Sequence, residues 1–159
     1  MELSAVDSVD QALEELSRHG DRCQVLAGGT DVMMQLARGE IDPAVLLHVE
    51  GLADLRSVDL NGATRIGSLV THRELLTGVL GAGHDAVVES AATVGGLQTQ
   101  AVGTIGGNVC NASPAADTLP ALLVHDARLT LRSSTGSRTV ALTDFLVGRR
   151  TTPAVPTSC

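Results

Sequence analysis

The stretch GTIGGNVCNASPAAD, residues 103–117, is the part of the sequence from which the rest of the chain is interpreted. It combines glycines with five short polar side chains, Thr104, Asn108, Asn111, Ser113 and Asp117. Residues 98–117 show neither a helical nor a strand period, so we predict a long ordered loop. A loop of this length inside a compact domain is usually functional. A loop that only hydrogen-bonds to itself through Asn and Ser side chains is the alternative.

A second glycine-rich stretch, LAGGTD at residues 26–31, lies between a predicted strand (23–27) and a predicted helix (30–40). Free backbone N–H groups at such a turn favour an anion such as phosphate, and glycine allows close approach because it has no Cβ. Thr30 adds a hydroxyl donor. An ordinary strand-to-helix turn is an equally good interpretation of this stretch alone. Two such stretches in one chain favour a long ligand that contains phosphate.

The remaining pattern predicts alternating helices and short strands. Ser8 caps a helix that Gly20 ends, and a buried strand at 44–49 completes a βαβ-like opening. The sequence Asn61-Gly62 indicates a hairpin within 55–70. Five further elements are predicted, namely a helix at 71–76 with a Thr71–Glu74 capping box, helices at 84–96 and 118–127, a hairpin of 128–134 with 137–142, and a short helix or turn at 142–148.

Composition excludes several kinds of function. The chain has 159 residues, a net charge of −7 and one aromatic residue, Phe145. Nucleic acids and anionic membranes need a basic surface, so neither is an expected partner. Cys23, Cys110 and Cys159 are scattered, which excludes a zinc or iron–sulfur site carried by this chain and favours a reducing, cytoplasmic compartment. No apolar run approaches the roughly 18–20 residues that span a bilayer, and no nucleophile–base pair indicates a catalytic residue.

Three segments together resemble the FAD-binding medium subunit of the molybdenum hydroxylases, a group that includes the carbon monoxide dehydrogenase and xanthine dehydrogenase families. They are LAGGTD (26–31), GSLVTHREL (67–75) and GTIGGNVCNASPAADTLPALLVHDARLTL (103–131). The resemblance reaches about residue 150 and implies an α+β fold, the two-lobed FAD-binding fold of the p-cresol methylhydroxylase type. A small βαβ lobe would occupy about 1–52, and a mainly antiparallel sheet with flanking helices about 53–150.

The resemblance also implies which residues contact FAD. The turn at 26–31 would wrap the pyrophosphate, and the segment at 104–108 would contact the diphosphate and ribityl region. A pair at 71–72 would lie near the flavin, and polar residues after 108 would line the flavin or ribose. The implied set is Leu26, Ala27, Gly28, Gly29, Thr30, Asp31, Thr71, His72, Thr104, Ile105, Gly106, Gly107, Asn108, Asn111, Ser113 and Asp117.

The function implied is that of an FAD-dependent oxidoreductase component. A molybdenum-cofactor large subunit would oxidise the substrate, a [2Fe–2S] small subunit would relay electrons, and this chain's FAD would pass them to an acceptor. Gln100 and Ala101 stand where the family has Asn or Arg-Asn, and residues 151–159 look like a truncation or frameshift that leaves out the C-terminal domain. Two alternatives therefore stay open, a scaffold that no longer binds flavin and a stand-alone biosynthetic flavoprotein.

Overall fold

The computed structural model describes residues 1–148, so the predicted tail at 151–159 lies outside the described residues. The first part of the chain contains strands β1 (Glu2–Ala5), β2 (Cys23–Leu26) and β3 (Val45–His48), helices α1 (Val9–His19) and α2 (Val32–Ala37), and 3-10 turns at Gly20–Arg22 and Ala53–Leu55. The rest contains β4 (Val58–Asp59), β5 (Arg65–Ile66), α3 (His72–Leu75), α4 (Asp85–Thr93), α5 (Leu97–Val102), α6 (Ile105–Asn111), α7 (Thr118–Val124), β6 (Arg128–Ser133), β7 (Gly136–Ala141) and α8 (Leu142–Phe145).

The first three strands form a parallel sheet in the order β1-β3-β2. Strand β3 lies in the centre, which explains why Val45, Leu46 and Leu47 are all buried. The succession β2-α2-β3 confirms the predicted βαβ opening. Sequence reasoning missed β1, because its four residues ELSA are too short and too mixed to show a period.

Helix α1 confirms the predicted cap, since the Ser8 hydroxyl accepts from the backbone N–H of Gln11 at 3.2 Å. Its Ala12 packs into a cluster of buried apolar residues beside the sheet, Val6, Ala12, Leu47, Val49, Leu52 and Leu69. Leu69 reaches this cluster from beyond β5, so residues on both sides of position 52 stabilise the sheet.

The later elements form a second, larger cluster. Most of its buried members come from helices α3, α4, α6, α7 and α8, and they include Leu75, Val87, Val109, Leu122 and Phe145. Both predicted hairpins are present, as the antiparallel pairs β4-β5 and β6-β7. The first is much shorter than the predicted span of 55–70, with only two residues in each strand.

The predicted loop at 98–117 is wrong, because helices α5 and α6 occupy most of it. Thr104 caps α6, with its hydroxyl accepting from Gly107 N–H at 3.0 Å. Ile105 and Val109 are four residues apart and both are buried, so they give α6 an apolar face. Packing of this face outweighs the poor helix propensity of Gly106 and Gly107, which hid the helix from sequence reasoning.

Candidate functional site

The two glycine-rich stretches lie against each other. A Cβ added at Gly28 would overlap the carbonyl oxygen of Val102, so the turn after β2 touches the end of α5 directly. A Cβ added at Gly103 would lie 3.3 Å from Cδ2 of His72 and 3.7 Å from Cγ2 of Thr30. Three segments that are far apart in sequence therefore meet at Gly103.

Backbone hydrogen bonds fix the segment before α3 beside the segment that starts α6. His72 N–H donates to the Gly103 carbonyl at 3.0 Å, and Ile105 N–H donates to the Val70 carbonyl at 2.9 Å. Between them, Thr71 and Thr104 form an isolated antiparallel bridge. Main-chain hydrogen bonds thus join the two segments at the site.

Backbone donors are free in the glycine-rich turn at residues 28–31. Within the described chain, the N–H groups of residues 28–31 donate to no backbone or side-chain acceptor. Gly28 and Gly29 contribute no side chain that could cover these donors, and Gly29 needs its φ of +70° for the turn. Thr30 is half-buried, and Asp31 is exposed at the start of α2, where its side chain forms no capping bond.

Backbone donors are used internally at residues 105–108, in the other glycine-rich stretch. Ile105 and Gly106 donate to the carbonyls of Val70 and Ser68, while Gly107 and Asn108 donate to the hydroxyl and carbonyl of Thr104. The interpretation of both stretches as turns rich in free N–H groups is therefore right for residues 28–31 and wrong for residues 105–108.

The two residues of the predicted pair, Thr71 and His72, have different roles. Thr71 forms the predicted capping box: its N–H and hydroxyl donate to the Glu74 carboxylate at 2.7 and 2.8 Å. Burial raises the pKa of Glu74, but these bonds from Thr71, together with Arg56, outweigh burial and hold it below its usual value. Thr71 is buried, and both its N–H and its hydroxyl serve the helix cap.

His72 is the buried polar group of the site that lacks a partner. Its side chain is 2% exposed, and Nδ1 has no hydrogen-bond partner among the described residues. Burial lowers the pKa of His72 because it disfavours the charged ring, while the charge of Asp117 acts in the opposite direction. The ring is therefore neutral at pH 7, and its Nδ1 is buried without a partner.

Asn108 is oriented by a residue that sequence reasoning did not select. Its Oδ1 accepts from the hydroxyl of Thr118 at 2.6 Å, and Nδ2 donates to no described acceptor. Thr118 is fully buried at the start of α7. The sequence offered only one signal for it, a hydroxyl residue just after Asp117 at the predicted start of a helix.

The other predicted residues lie at the edges of this cluster. Asn111 is half-buried at the end of α6, and Ser113 Oγ accepts from the N–H of Ala115 at 3.2 Å. Asp117 is exposed and close enough to His72 to affect its pKa. Leu26 and Ala27 are half-buried at the end of β2, where the Leu26 carbonyl accepts from Val49 N–H at 3.0 Å.

Gln100 has a structural contact of its own. It is buried, and its Nε2 donates to the carbonyl of Ala92 at 3.0 Å, which ties α5 to the end of α4. Within residues 1–148 no group of three or more His, Cys, Asp or Glu side chains is placed to hold a metal ion. Nor is any helix in that range long and apolar enough to cross a bilayer.

Comparison with known proteins gives a family match over residues 1–158, to the family described as "FAD binding domain in molybdopterin dehydrogenase". The xanthine dehydrogenase FAD-binding subunit of Escherichia coli O157:H7 is 35% identical over 130 residues, which are 80% of this chain and 44% of that protein. The glyceraldehyde dehydrogenase medium chain of Sulfolobus acidocaldarius is 33% identical over 149 residues, 92% of this chain and 52% of that protein. The chain thus spans about half the length of the curated relatives it matches.

Solved structures match the fold over almost its whole length. The Cu,Mo-CO dehydrogenase in its cyanide-inactivated form aligns with a TM-score of 0.94 at 25% identity, covering 99% of this chain and 56% of that chain. Carbon monoxide dehydrogenase from Hydrogenophaga pseudoflava aligns with a TM-score of 0.92 at 25% identity, covering 96% and 54%. These matches confirm the predicted α+β fold.

Proposed function

The chain belongs to the family of FAD-binding domains in molybdopterin dehydrogenases, and on this basis we propose that it binds FAD where its two glycine-rich stretches meet. This membership confirms the family resemblance found in the sequence. It also confirms the prediction that the chain is a component of an FAD-linked oxidoreductase. Because the chain spans about half of its relatives, the activity, acceptor and partners of the whole enzyme are part of the proposal.

The free N–H groups of residues 28–31 are the observation that carries this proposal. A diphosphate is an anion with several acceptor oxygens, and a set of unpaired backbone donors can bind it without lysine or arginine. This agrees with a chain whose net charge is −7. The turn is held in place from behind, since Gly28 packs on the Val102 carbonyl.

The remaining site residues have roles that follow from their contacts. Ile105, Gly106 and Gly107 border the site without offering backbone donors, since their N–H groups are already bonded, and Thr104 caps the helix beside them with its hydroxyl. Asn108 offers Nδ2, and His72 holds Gly103 in place beside the turn through its backbone N–H.

The other residues of the predicted set complete the proposal. Leu26 and Ala27 support the turn from β2, Thr30 and Asp31 contribute two of its free N–H groups, and Thr71 caps α3 beside His72. Asn111, Ser113 and Asp117 line the ribose or flavin side. When bound, FAD supplies the electron-carrying chemistry, and the residues of this chain hold and orient it.

The proposed assembly is a complex with a molybdenum-cofactor large subunit and a [2Fe–2S] small subunit, from which this chain receives electrons. Its support is that several relatives are named as medium chains or as subunits of dehydrogenase complexes. A cytoplasmic location belongs to the same proposal, supported by Cys23 and Cys110, which are free thiols within the described residues. Co-purification with two such subunits tests the assembly.

Ligand titration tests the site itself. We expect FAD to bind and to be displaced by ADP, which carries the diphosphate, whereas riboflavin, which lacks it, binds at least about tenfold more weakly. Purified protein that takes up neither FAD nor ADP would overturn the proposal and favour the scaffold without flavin.

A pair of substitutions at Gly29 isolates the diphosphate contact. Gly29→Asp and Gly29→Asn place side chains of nearly equal shape at a φ of +70°, which both residue types tolerate. Only Asp adds a negative charge beside the free donors. We expect Gly29→Asp to bind FAD at least about tenfold more weakly than Gly29→Asn. Equal affinity of the two variants would exclude residues 28–31 as the diphosphate site.

A further inference from the structure

Thr118 lies next to the proposed FAD site without reaching its surface. It is the first residue of α7, is fully buried, and donates its hydroxyl proton to Oδ1 of Asn108 at 2.6 Å. This bond links the side chains of α7 and α6. Asp117, its neighbour in sequence, is close enough to affect the pKa of His72, so the start of α7 belongs to the same cluster.

The bond fixes which way the Asn108 amide faces. The oxygen and the nitrogen of an asparagine amide are nearly alike in shape but opposite in hydrogen bonding, so only partners distinguish the two orientations. The Thr118 hydroxyl can donate one proton and can also accept, but Thr118 is fully buried, and Oδ1 of Asn108 is the only acceptor for its proton among the described residues. With the amide rotated, this buried proton would have no acceptor. The Nδ2 donors therefore face away from Thr118, and no other described residue accepts from them.

We propose that Thr118 is a positioning residue for FAD binding, which acts by holding the Asn108 amide with its donors directed at the ligand. This inference rests on the proposed FAD site. Without the Thr118 hydroxyl, the amide loses its fixed orientation, and the rotated form presents an oxygen where a donor is needed. An acceptor facing an acidic ligand repels it, so the loss appears as weaker binding.

A double-mutant cycle tests this role. Thr118→Val keeps the side-chain shape and removes the hydroxyl, and Asn108→Ala removes the amide. We expect Thr118→Val to weaken FAD binding about tenfold, and Thr118→Ser, which keeps the hydroxyl, to retain the affinity of the unaltered chain. In a chain that already carries Asn108→Ala, Thr118→Val should change the affinity for FAD less than about twofold. The melting temperature without FAD is measured in parallel, so that loss of binding is separated from loss of fold.

Each outcome decides between the two proposals. If the unaltered chain does not bind FAD, the FAD site and the role of Thr118 both fail. If it binds FAD but Thr118→Val weakens binding equally with and without the Asn108→Ala substitution, only the role of Thr118 fails. Should Thr118→Val not fold, Thr118→Cys replaces it in the same cycle, because a thiol is a weaker donor of similar size, and the same criteria apply.

Discussion

The turn at residues 28–31 contacts Val102 and Gly103, which directly precede the Thr104 cap of α6, and its backbone donors are unpaired whereas those of residues 105–108 are paired. In the segment at residues 104–108, the N–H groups of residues 105–108 bond to Val70, Ser68 and Thr104. Glycine therefore has two physical uses in one site. In the turn it leaves donors uncovered, and in the segment it lets α6 approach the backbone near Ser68.

Gly28 serves both purposes, since it leaves backbone donors uncovered and packs directly on another main-chain segment. Its substitution has the largest expected effect. A Cβ at this position overlaps the carbonyl oxygen of Val102, a main-chain atom that cannot move aside without shifting α5. We expect Gly28→Ala to lower the free energy of unfolding by about 3 kcal/mol or more without FAD, measured by urea denaturation. Gly51→Ala is the control, since its nearest neighbour would be 3.9 Å away. Equal stability of the two variants would contradict the contact between the stretches.

Two adjacent glycines of α6 sharpen the comparison further. A Cβ at Gly106 would lie 2.6 Å from the carbonyl oxygen of Ser68, whereas one at Gly107 would meet only the Thr104 hydroxyl at 3.0 Å. Alanine is more stable than glycine in a helix interior by about 1 kcal/mol, and this gain partly offsets the close contact with the Thr104 hydroxyl. We expect Gly106→Ala to be less stable than Gly107→Ala by at least about 1 kcal/mol. The reverse order in denaturation would show that α6 does not pack on Ser68.

His72, between the two stretches, predicts a pH dependence. Burial lowers its pKa in the folded protein below the ordinary 6.5, with the charge of Asp117 opposing. The unfolded chain thus takes up a proton near pH 6.5 that the folded chain does not, so stability is complete above that pH and is lost as the pH falls toward the folded value. We expect urea denaturation between pH 7 and 5 to show a smaller loss for His72→Gln than for the unaltered chain. If the free energy of unfolding falls equally with pH in both proteins, His72 does not have a buried neutral ring.

The smallest expected effect lies at the end of helix α6. Ala112 follows α6 in the left-handed region, at φ 44° and ψ 39°, where a residue with a Cβ is strained. Ala112→Gly should relieve this strain and raise the free energy of unfolding by about 0.5–1 kcal/mol, measured by denaturation. Ala116→Gly is the control, a buried position outside the left-handed region where the same change should destabilise. Loss of stability in both variants would contradict the strain at Ala112.

Much of the fold could be predicted from the sequence because local signals and tertiary structure agree there. Ser8 with Gln11, Thr71 with Glu74, and Asn61-Gly62 each produced the expected cap or turn. Helix α6 could not be predicted, because Gly106 and Gly107 oppose a helix locally and only packing on distant residues favours one. Helix α5 could not be predicted because it has six residues and buries Gln100 in place of an apolar side chain. The Thr118–Asn108 bond spans ten positions and leaves no pattern in the sequence.

Amide hydrogen exchange tests the central claim most directly, since it measures the backbone donors of both stretches in one experiment. Without FAD, we expect the N–H groups of residues 28–31 to exchange rapidly and those of residues 105–108 slowly, as their hydrogen bonds dictate. Saturating FAD should slow exchange at residues 28–31 by at least about tenfold and change residues 105–108 much less. Bound FAD that leaves exchange at residues 28–31 unchanged would contradict the proposal that this turn holds the diphosphate.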